Sequence, residues 1–436
     1  MKKTTKSEQR AANELQKATC GEFLADGSLI EIIRPDARQK ALSLLISKEG
    51  LLTEASNAQY DGVSYIPIEP DPSILRAIHI PSGVSEYATT GSLFAEIIGI
   101  LRSRLELRDT TAILLAHVVL SSWLADCLSA APRLLVYGPP EESAILLQLL
   151  AATCRRALLL SDVNIATWSS ALAELRPTVL INARRLRSST KDFLDASNMR
   201  QQYVLRNGQL IDFFGVQIIH ERSPSGDRSM HESAICVTVS PASGRLRILT
   251  DADRAEIAHE IQGKLLGYRM RNYDNVRRSE FDVSEFTGAV RSHARMLGAC
   301  LVGAPELQSG LIAALRGHDE DARTARSFSL ESVLIEVLIL LCHESQARAS
   351  ATVGEITAMM NMIFQGRDEP LKLEARKVGD VLRSLQFFTA RQGSGARGIS
   401  LLLEDRRRIH QLARDYDVPT IHAGVVGCPQ CAERKE

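Results

Sequence analysis

The stretch RLLVYGPPEESAI (Arg133–Ile145) decides how the rest of the chain is interpreted. Leu134–Tyr137 is a short apolar run of the kind that forms a buried strand, and the glycine and two prolines that follow interrupt it. Ala144–Cys154 then carries residues that favour a helix. A strand, a glycine turn and a helix in this order are the setting in which a phosphate-binding loop occurs.

Three positions of this stretch lack the side chains that such a loop needs. In the pattern G-x-x-x-x-G-K-[ST], backbone N–H groups surround the phosphates, the lysine neutralises their outer oxygens and the hydroxyl holds Mg²⁺. Gly138 is the first glycine. Ser143 replaces the second glycine, Ala144 the lysine and Ile145 the hydroxyl residue.

Two glutamates change the charge of the same stretch. Glu141 and Glu142 lie where a triphosphate would have to bind, and like charges ~4 Å apart repel by ~4 kcal/mol at an effective dielectric constant near 20. The whole stretch is therefore predicted not to bind nucleotide. Its members are Gly138, Pro139, Pro140, Glu141, Glu142, Ser143, Ala144 and Ile145.

A second apolar run, Thr178–Ile181, follows at the distance expected for the strand that carries the acids of a magnesium site. It ends in Asn182 and Ala183 instead of aspartate and glutamate. Asparagine offers no anionic ligand to Mg²⁺, and alanine cannot orient a water molecule. These two positions are also predicted to be non-functional, so no nucleotide or magnesium cofactor is expected.

From about residue 92 to residue 418 the chain resembles bacterial P-loop ATPases of the AAA+ type, of the primase- and helicase-associated kind found with mobile elements. That family carries GPPGSGKT at Gly138–Ile145 and LLIDEAD from Leu180 onward. Asp212–Glu221 (DFFGVQIIHE) resembles its sensor strand, and Gly226–Ile235 (GDRSMHESAI) resembles the segment that ends in the arginine finger. By that register Ser233 stands in the place of the arginine, although Arg222 and Arg228 lie nearby.

The predicted fold class is an α/β P-loop NTPase-like core with a mostly parallel sheet, a helical lid, a C-terminal winged helix-turn-helix and a small N-terminal α+β domain. Apolar runs near 134–137, 157–160, 178–181, 216–220 and 235–239 supply the strands of the core. The predicted divisions are a disordered tail at 1–18, the N-terminal domain at 19–82, the core with two preceding helices at 83–245, the lid at 246–326, the winged helix at 327–418 and a tail at 419–436. Within the N-terminal domain, Ala37–Ile46 is predicted to be helical.

The winged helix is the unit that the pattern predicts best. Helices at 329–345, 352–364 and 374–387 precede two short strands within 388–403 and a helix at 405–416. Basic residues on its third helix and its wing are suited to contact nucleic acid. These are Arg376, Lys377, Arg383, Arg391 and Arg397. A winged helix that binds only protein is the alternative.

Composition limits the remaining possibilities. The chain has 436 residues, 45% of them hydrophobic and 24% charged, and its formal net charge is zero, so any surface for nucleic acid must be local. No apolar run reaches the ~18 residues of a membrane span, and no signal core follows the basic first residues. The eight cysteines mostly occur singly in apolar runs, which suits a reducing, cytoplasmic compartment.

Three further features allow two interpretations each. Arg184, Arg185 and Arg187 form either a solvated loop or a basic patch for a partner. His117, on an apolar helix, is interpreted as a core residue rather than a ligand. Cys428 and Cys431 are either a chance pair in a mobile tail, with His422 upstream, or half of a zinc site shared between subunits.

The resulting hypothesis is a catalytically degenerate AAA+-like protein, a pseudo-ATPase that acts as a nucleic-acid-associated scaffold or regulatory subunit. Its expected partners are DNA or RNA, and a second copy or an active ATPase relative. Two alternatives remain at this point. One is an active ATPase or helicase loader with an unconventional site, and the other is a protein-binding adaptor that never contacts nucleic acid.

Overall fold

The computed structural model divides the chain into two compact units, residues 1–316 and 317–436. The residues that it describes are 16–36, 41–163, 175–206, 209–222, 230, 233–244, 246, 248–286, 288–327, 329–367, 369–391, 395–416, 418 and 428–432.

The N-terminal part of the first unit consists of two small β-sheets. The antiparallel sheet has the order β2 (Gly21–Phe23), β3 (Leu29–Ile33), β4 (Ser43–Lys48), β5 (Leu51–Ala55). The other sheet has the order β1 (Gln16–Thr19), β7 (Val63–Pro67), β6 (Ala58–Tyr60), with β1 parallel to β7. A short helix, α1 (Pro72–Ala77), follows.

Two predictions for this region are wrong. Ala37–Ile46 is not a helix, because Ser43–Lys48 is strand β4; residues 37–40 lie outside the described part of the chain. Leu44 and Leu45 are buried in different hydrophobic clusters on the two faces of the sheet. A strand that is apolar on both faces cannot be told from a helix by periodicity. Residues 16–18 are not part of a disordered tail, since polar strand β1 pairs with β7.

The predicted parallel sheet is confirmed. Its five strands, all parallel, have the order β14 (Ile235–Thr238), β8 (Arg133–Tyr137), β13 (Gln217–Glu221), β10 (Val179–Ala183), β9 (Leu158–Leu160). Each strand lies within two residues of its predicted position. An unpredicted hairpin, β11 (Tyr203–Arg206) and β12 (Gln209–Asp212), is inserted between β10 and β13.

Helices pack against this sheet, and all but one of them contribute to one large hydrophobic core; Phe193 and Leu194 of the remaining helix belong to a second cluster. They are α2 (Thr90–Arg102), α3 (Asp109–Ser122), α4 (Pro140–Thr153), α5 (Ser188–Ala196), α6 (Asp251–Arg277), α7 (Gly288–Ala299) and α8 (Glu306–Ser327). Helix α3 is buried on almost every side, and the Trp123 indole that follows it donates to the Thr153 carbonyl at 3.0 Å. In the described part of the chain, no helix has the length and hydropathy of a membrane span.

The second unit contains four longer helices and a small sheet around its own core. In chain order it has α9 (Leu330–Glu344), β15 (Ser350–Thr352), α10 (Val353–Gly366), α11 (Ala375–Ser384), β16 (Ala390–Arg391), β17 (Arg397–Ser400), α12 (Leu403–Asp415) and the short α13 (Pro429–Ala432). The strands are antiparallel in the order β15-β17-β16. The Thr352 hydroxyl caps α10 by accepting the Glu355 N–H at 3.2 Å, as the sequence predicts.

His117 lies on α3 with no exposed surface, and its ring centroid is 4.6 Å from that of Phe94. Burial lowers the pKa of His117 to about 3, because the apolar surroundings disfavour the imidazolium. The folded protein therefore holds this histidine neutral at pH values where the unfolded chain protonates it.

We expect His117→Leu to reduce the acid sensitivity of the fold. The folded-state pKa lies below the unfolded value, so protonation favours the unfolded chain as the pH falls below about 6.5. Between pH 7 and pH 5 this residue should lower the free energy of unfolding by about 2 kcal/mol in the wild type, a decrease that the variant should not show. Urea unfolding at both pH values measures it. The exposed His259 provides the control, because His259→Leu should keep the wild-type difference.

Candidate functional site

The turn after β8 is shorter than a phosphate-binding loop. Helix α4 begins at Pro140, four residues earlier than the sequence predicts, and Pro139 is its N-cap. The Ser143 N–H is already used inside the helix, since it donates to the Pro139 carbonyl at 3.0 Å. Two prolines in the turn have no N–H at all. Positions 139, 140 and 143 therefore have no N–H group available to a phosphate.

The same residues explain why the helix starts early. Proline is well suited to the first helical position because its φ is already fixed near the helical value. Glu141 and Glu142 lie in the first turn, where a carboxylate interacts favourably with the partial positive charge of the helix. The local sequence favours a helix start, and it does so with the residues that would repel a phosphate.

The carboxylate of Glu142 is bound within the protein. Glu142 is 7% exposed, and its Oε1 accepts the backbone N–H of Ala242 at 2.9 Å. The backbone after β14 also lies close to the turn, because a Cβ added to Gly138 would come within 2.6 Å of the Val239 carbonyl oxygen. Gly138 has a φ of +151°, which glycine adopts most easily. A carboxylate of the first helical turn is thus engaged by the segment after β14, next to the helix N-terminus at which a P-loop would bind phosphate.

Three buried polar atoms lie on elements that end at this edge of the sheet. They are Ser143 Oγ, Asn182 Oδ1 and His220 Nε2, and none has a hydrogen-bond partner in the described residues. Asn182 is opposite His220 in the pairing of β10 with β13, and the His220 Nδ1 lies 3.0 Å from the Val136 carbonyl oxygen. The edge is polar, but it carries amide, hydroxyl and imidazole groups instead of the acids of a magnesium site.

An acid that the sequence analysis did not single out ends the neighbouring strand. Glu221, opposite the buried Ala183, accepts the Leu186 N–H at 2.6 Å and the Lys191 ammonium group at 3.2 Å. Both side chains of this ion pair are largely buried. The pair links β13 to α5, so the carboxylate at this edge is held by the protein's own cation.

Ser233, in the predicted place of the arginine finger, lies at the other end of the sheet. Its hydroxyl accepts from Arg133 Nη1 at 2.7 Å, and Arg133 begins β8. Five residues of strand, roughly 16 Å, separate Arg133 from Gly138. Arg222 is exposed, and Arg228 lies outside the described residues.

The two edges of the parallel sheet carry different features, exposed arginines at one and a cleft at the other. Arg184, Arg185 and Arg187 are exposed and follow β10 at the edge that carries Gly138. A cleft of about 280 Å³ opens at the opposite edge, where Thr178 and Val216 precede their strands. Because ligands of open α/β sheets bind at the carboxyl ends of the strands, this cleft is not the counterpart of a nucleotide site.

In the second unit, all five predicted nucleic-acid residues are exposed. Arg376, Lys377 and Arg383 lie on α11, whose other face buries Val378, Val381 and Leu382. Arg391 is on β16 and Arg397 on β17, directly paired with each other. Two more exposed residues lie close to these in the sequence, Lys372 and the 85% exposed Phe388. Neither was predicted, because a single exposed residue leaves no recognisable pattern in the sequence.

Cys428 and Cys431, the predicted metal ligands, lie beside two histidines of the same unit. The Cys428 Sγ is 3.3 Å from His410 Nε2, the Cys431 Sγ is 3.3 Å from His343 Nε2, and the two Nε2 atoms are 3.1 Å apart. We call these four residues the Cys–His cluster. All four donor atoms lie within 4.8 Å of one another. His422, which the sequence analysis also noted, lies outside the described residues.

Comparisons with known proteins give only distant likenesses. No protein-family model matches the sequence, and no curated protein matches it significantly. The structure is similar to an active helicase, Cch of SCCmec type IV, at 12% identity and a TM-score of 0.41, covering 92% of this chain and 83% of that one. It is also similar to the NrS-1 C-terminal region, at 10% identity and a TM-score of 0.34, covering 85% and 95%. A third likeness is to the Aeropyrum pernix ORC1 protein in complex with DNA, at 14% identity and a TM-score of 0.20, covering 74% and 97%. At these TM-scores the likenesses establish neither fold nor function.

We expect the two glutamates of the turn to differ in their contribution to stability. Glu142→Ala removes the acceptor of the Ala242 N–H and one carboxylate at the helix N-terminus, and should lower the free energy of unfolding by about 1–3 kcal/mol. Glu141→Ala removes only an exposed carboxylate of the same turn, and should cost below about 1 kcal/mol. Chemical unfolding of both variants measures the difference. Equal effects would show that the Glu142–Ala242 hydrogen bond does not hold the turn.

Proposed function

We propose that the chain is a catalytically degenerate P-loop protein of the AAA+ type, a pseudo-ATPase, whose second unit is a winged helix that binds nucleic acid. It acts in the cytoplasm as a scaffold or regulatory subunit, together with further copies or an active relative. The observation that carries this proposal is the hydrogen bond from the Ala242 N–H to Glu142, since it engages a carboxylate in the first turn of the helix that follows the glycine turn.

Several observations support the degenerate site. The parallel sheet has its glycine turn at the carboxyl end of β8, which is where such sheets bind ligands. The lysine, the hydroxyl and both acids of the usual machinery are replaced together by Ala144, Ile145, Asn182 and Ala183. Ile145 is also buried in the core, so a hydroxyl introduced there would not face a ligand.

The arrangement of the second unit supports nucleic-acid binding. Helices α9, α10 and α11 followed by the β16–β17 hairpin have the order of a winged helix-turn-helix. The third of these helices, α11, presents its cations to solvent, as does the hairpin. Arg383 forms an exposed pair with Asp380 at 3.1 Å, which is weak enough to exchange for a phosphate.

All eight cysteines lie within the described residues, and none forms a disulfide. Free thiols in this number suit the reducing environment of the cytoplasm.

We expect the purified protein neither to bind nor to hydrolyse ATP with Mg²⁺ at cellular concentrations. Calorimetry with magnesium-ATP and a phosphate-release assay measure the two activities. The triple variant Ser143→Gly, Ala144→Lys, Ile145→Thr should recover little hydrolysis, because α4 still begins at Pro140 and β10 still ends in Asn182 and Ala183.

The control separates specific binding from simple attraction of anions. Arg184→Ala removes an exposed cation at the same edge without touching the turn. Binding that requires Mg²⁺ and is lost on mutation of the 138–145 stretch but kept in Arg184→Ala would overturn the pseudo-ATPase proposal. Weak binding that is independent of Mg²⁺ and is abolished in Arg184→Ala would leave it standing.

We expect the protein to bind duplex DNA through the second unit. Arg383→Ala and Arg391→Ala should each weaken binding, because each removes a cation that can neutralise a phosphate. For every phosphate that is no longer neutralised, the slope of log K against log salt concentration should become shallower by about 0.9. Fluorescence anisotropy with a labelled duplex, measured over a range of salt concentrations, gives both quantities.

Arg407→Ala is the matched control for this experiment. Arg407 is an arginine on α12, half-exposed and paired with Glu404, so its removal changes the net charge equally. An equal decrease of affinity in all three variants would indicate attraction by net charge alone. If the wild type binds no nucleic acid at low salt, the second unit is a protein-binding winged helix.

A further inference from the structure

We infer that the Cys–His cluster is a structural zinc site, complete within one chain, that fastens the C-terminal tail to the second unit. The proposal is independent of the pseudo-ATPase and of the nucleic-acid surface, since it concerns different residues. It also replaces the expectation of half a site shared between subunits.

The four donors come from three segments that are far apart in sequence. His343 lies near the end of α9 and His410 lies on α12, while Cys428 directly precedes α13 and Cys431 lies within it. Two thiols separated by two residues and two imidazoles are a common donor set of structural zinc sites. The C-x-x-C pair thus finds its two missing partners in its own chain.

The separations of the donor atoms are close to those of a zinc tetrahedron. With Zn–N near 2.0–2.1 Å and Zn–S near 2.3 Å, tetrahedral donors lie roughly 3.3–3.8 Å apart. The two imidazole nitrogens are 3.1 Å apart, and each lies 3.3 Å from one thiol. These three separations are within a few tenths of an ångström of the tetrahedral values, and the remaining pairs of donor atoms lie within 4.8 Å.

A hydrogen bond outside the cluster points the lone pair of His410 towards its centre. The His410 Nδ1 lies 2.7 Å from the Arg406 carbonyl oxygen, which only accepts, so Nδ1 carries the proton. The Nε2 is then unprotonated and faces both His343 and Cys428. Metal-ligating histidines are commonly oriented in this way by a carbonyl group. Arg406 is itself fixed, because its guanidinium donates to the carbonyls of Leu401 and Cys342.

Burial and donor type indicate zinc in a structural role. His410 and Cys428 are buried, and His343 and Cys431 are partly buried. Four protein donors leave no position for water or substrate, as in structural rather than catalytic sites. Mixed thiolate and imidazole donors in a tetrahedron favour zinc over the hard cations Mg²⁺ and Ca²⁺.

The short helix α13 also requires such a link. Its four residues are far fewer than a helix needs to be stable by itself. Cys431 packs against the hydrophobic core of the second unit, and Gln430 is also buried. A metal that joins α13 to α9 and α12 supplies the missing stabilisation.

Metal analysis of the full chain tests the proposal. The protein is expressed without a histidine tag, purified without chelator and measured by inductively coupled plasma mass spectrometry. We expect about one zinc ion per chain in the wild type. Cys428→Ser and Cys431→Ser should each lose most of it, at least a fivefold reduction. Cys127→Ser, which changes a partly buried thiol of the first unit, should keep the wild-type content.

A second measurement does not depend on the folding of any variant. Replacing the zinc of the wild type with Co²⁺ should give the intense visible absorption bands of a tetrahedral site. It should also give a thiolate-to-cobalt charge-transfer band with the intensity expected for two thiolate ligands. A wild type that contains no zinc and gives no such spectrum would overturn the proposal. Two other results would also overturn it: zinc that is retained in Cys428→Ser, or a dimer that contains half a zinc ion per chain.

Discussion

The first unit depends on one buried group of charges. Glu31 of β3 accepts from Arg155, Arg156 and Arg269, and Arg269 also binds Asp126. Burial alone would raise the pKa of Glu31, but the three guanidinium groups outweigh it and keep that pKa below its ordinary value. Because a buried charge without a partner costs about 3–5 kcal/mol, these partners must be assembled together. The group therefore ties the N-terminal sheet to the end of α4 and to the long helix α6 as one folded body.

This arrangement also accounts for where two cations next to the parallel sheet lie. Arg155 and Arg156 follow α4 at the end away from Gly138, and both are used by Glu31. At the other end of α4, Glu142 is held by a backbone N–H, and the nearby Glu221 is held by Lys191. The carboxylates of Glu142 and Glu221 at that edge are thus satisfied within the protein, whereas the arginines that follow β10 are exposed there.

How much could be predicted from the sequence differs between elements for physical reasons. The five parallel strands were predictable because strands buried on both faces give continuous apolar runs. The same property misled at Ser43–Lys48, where an apolar run belongs to an antiparallel sheet in a region without flanking helices. The start of α4 was missed because the motif suggested a loop, whereas proline and two glutamates favour a first helical turn. For the Cys–His cluster, Cys428 and Cys431 give a local signal, but His343 and His410 are brought to them only by the packing of α9 with α12.

The turn after β8 finally bears on how the protein can change shape. In working P-loop proteins a bound γ-phosphate and its Mg²⁺ hold mobile segments, which are released after hydrolysis. Here the corresponding contact runs from Glu142 to Ala242 and joins the start of α4 to the segment after β14 without any ligand. Nucleotide hydrolysis would not break this hydrogen bond, because no ligand takes part in it. The start of α4 and the segment after β14 are therefore held together by the protein's own groups.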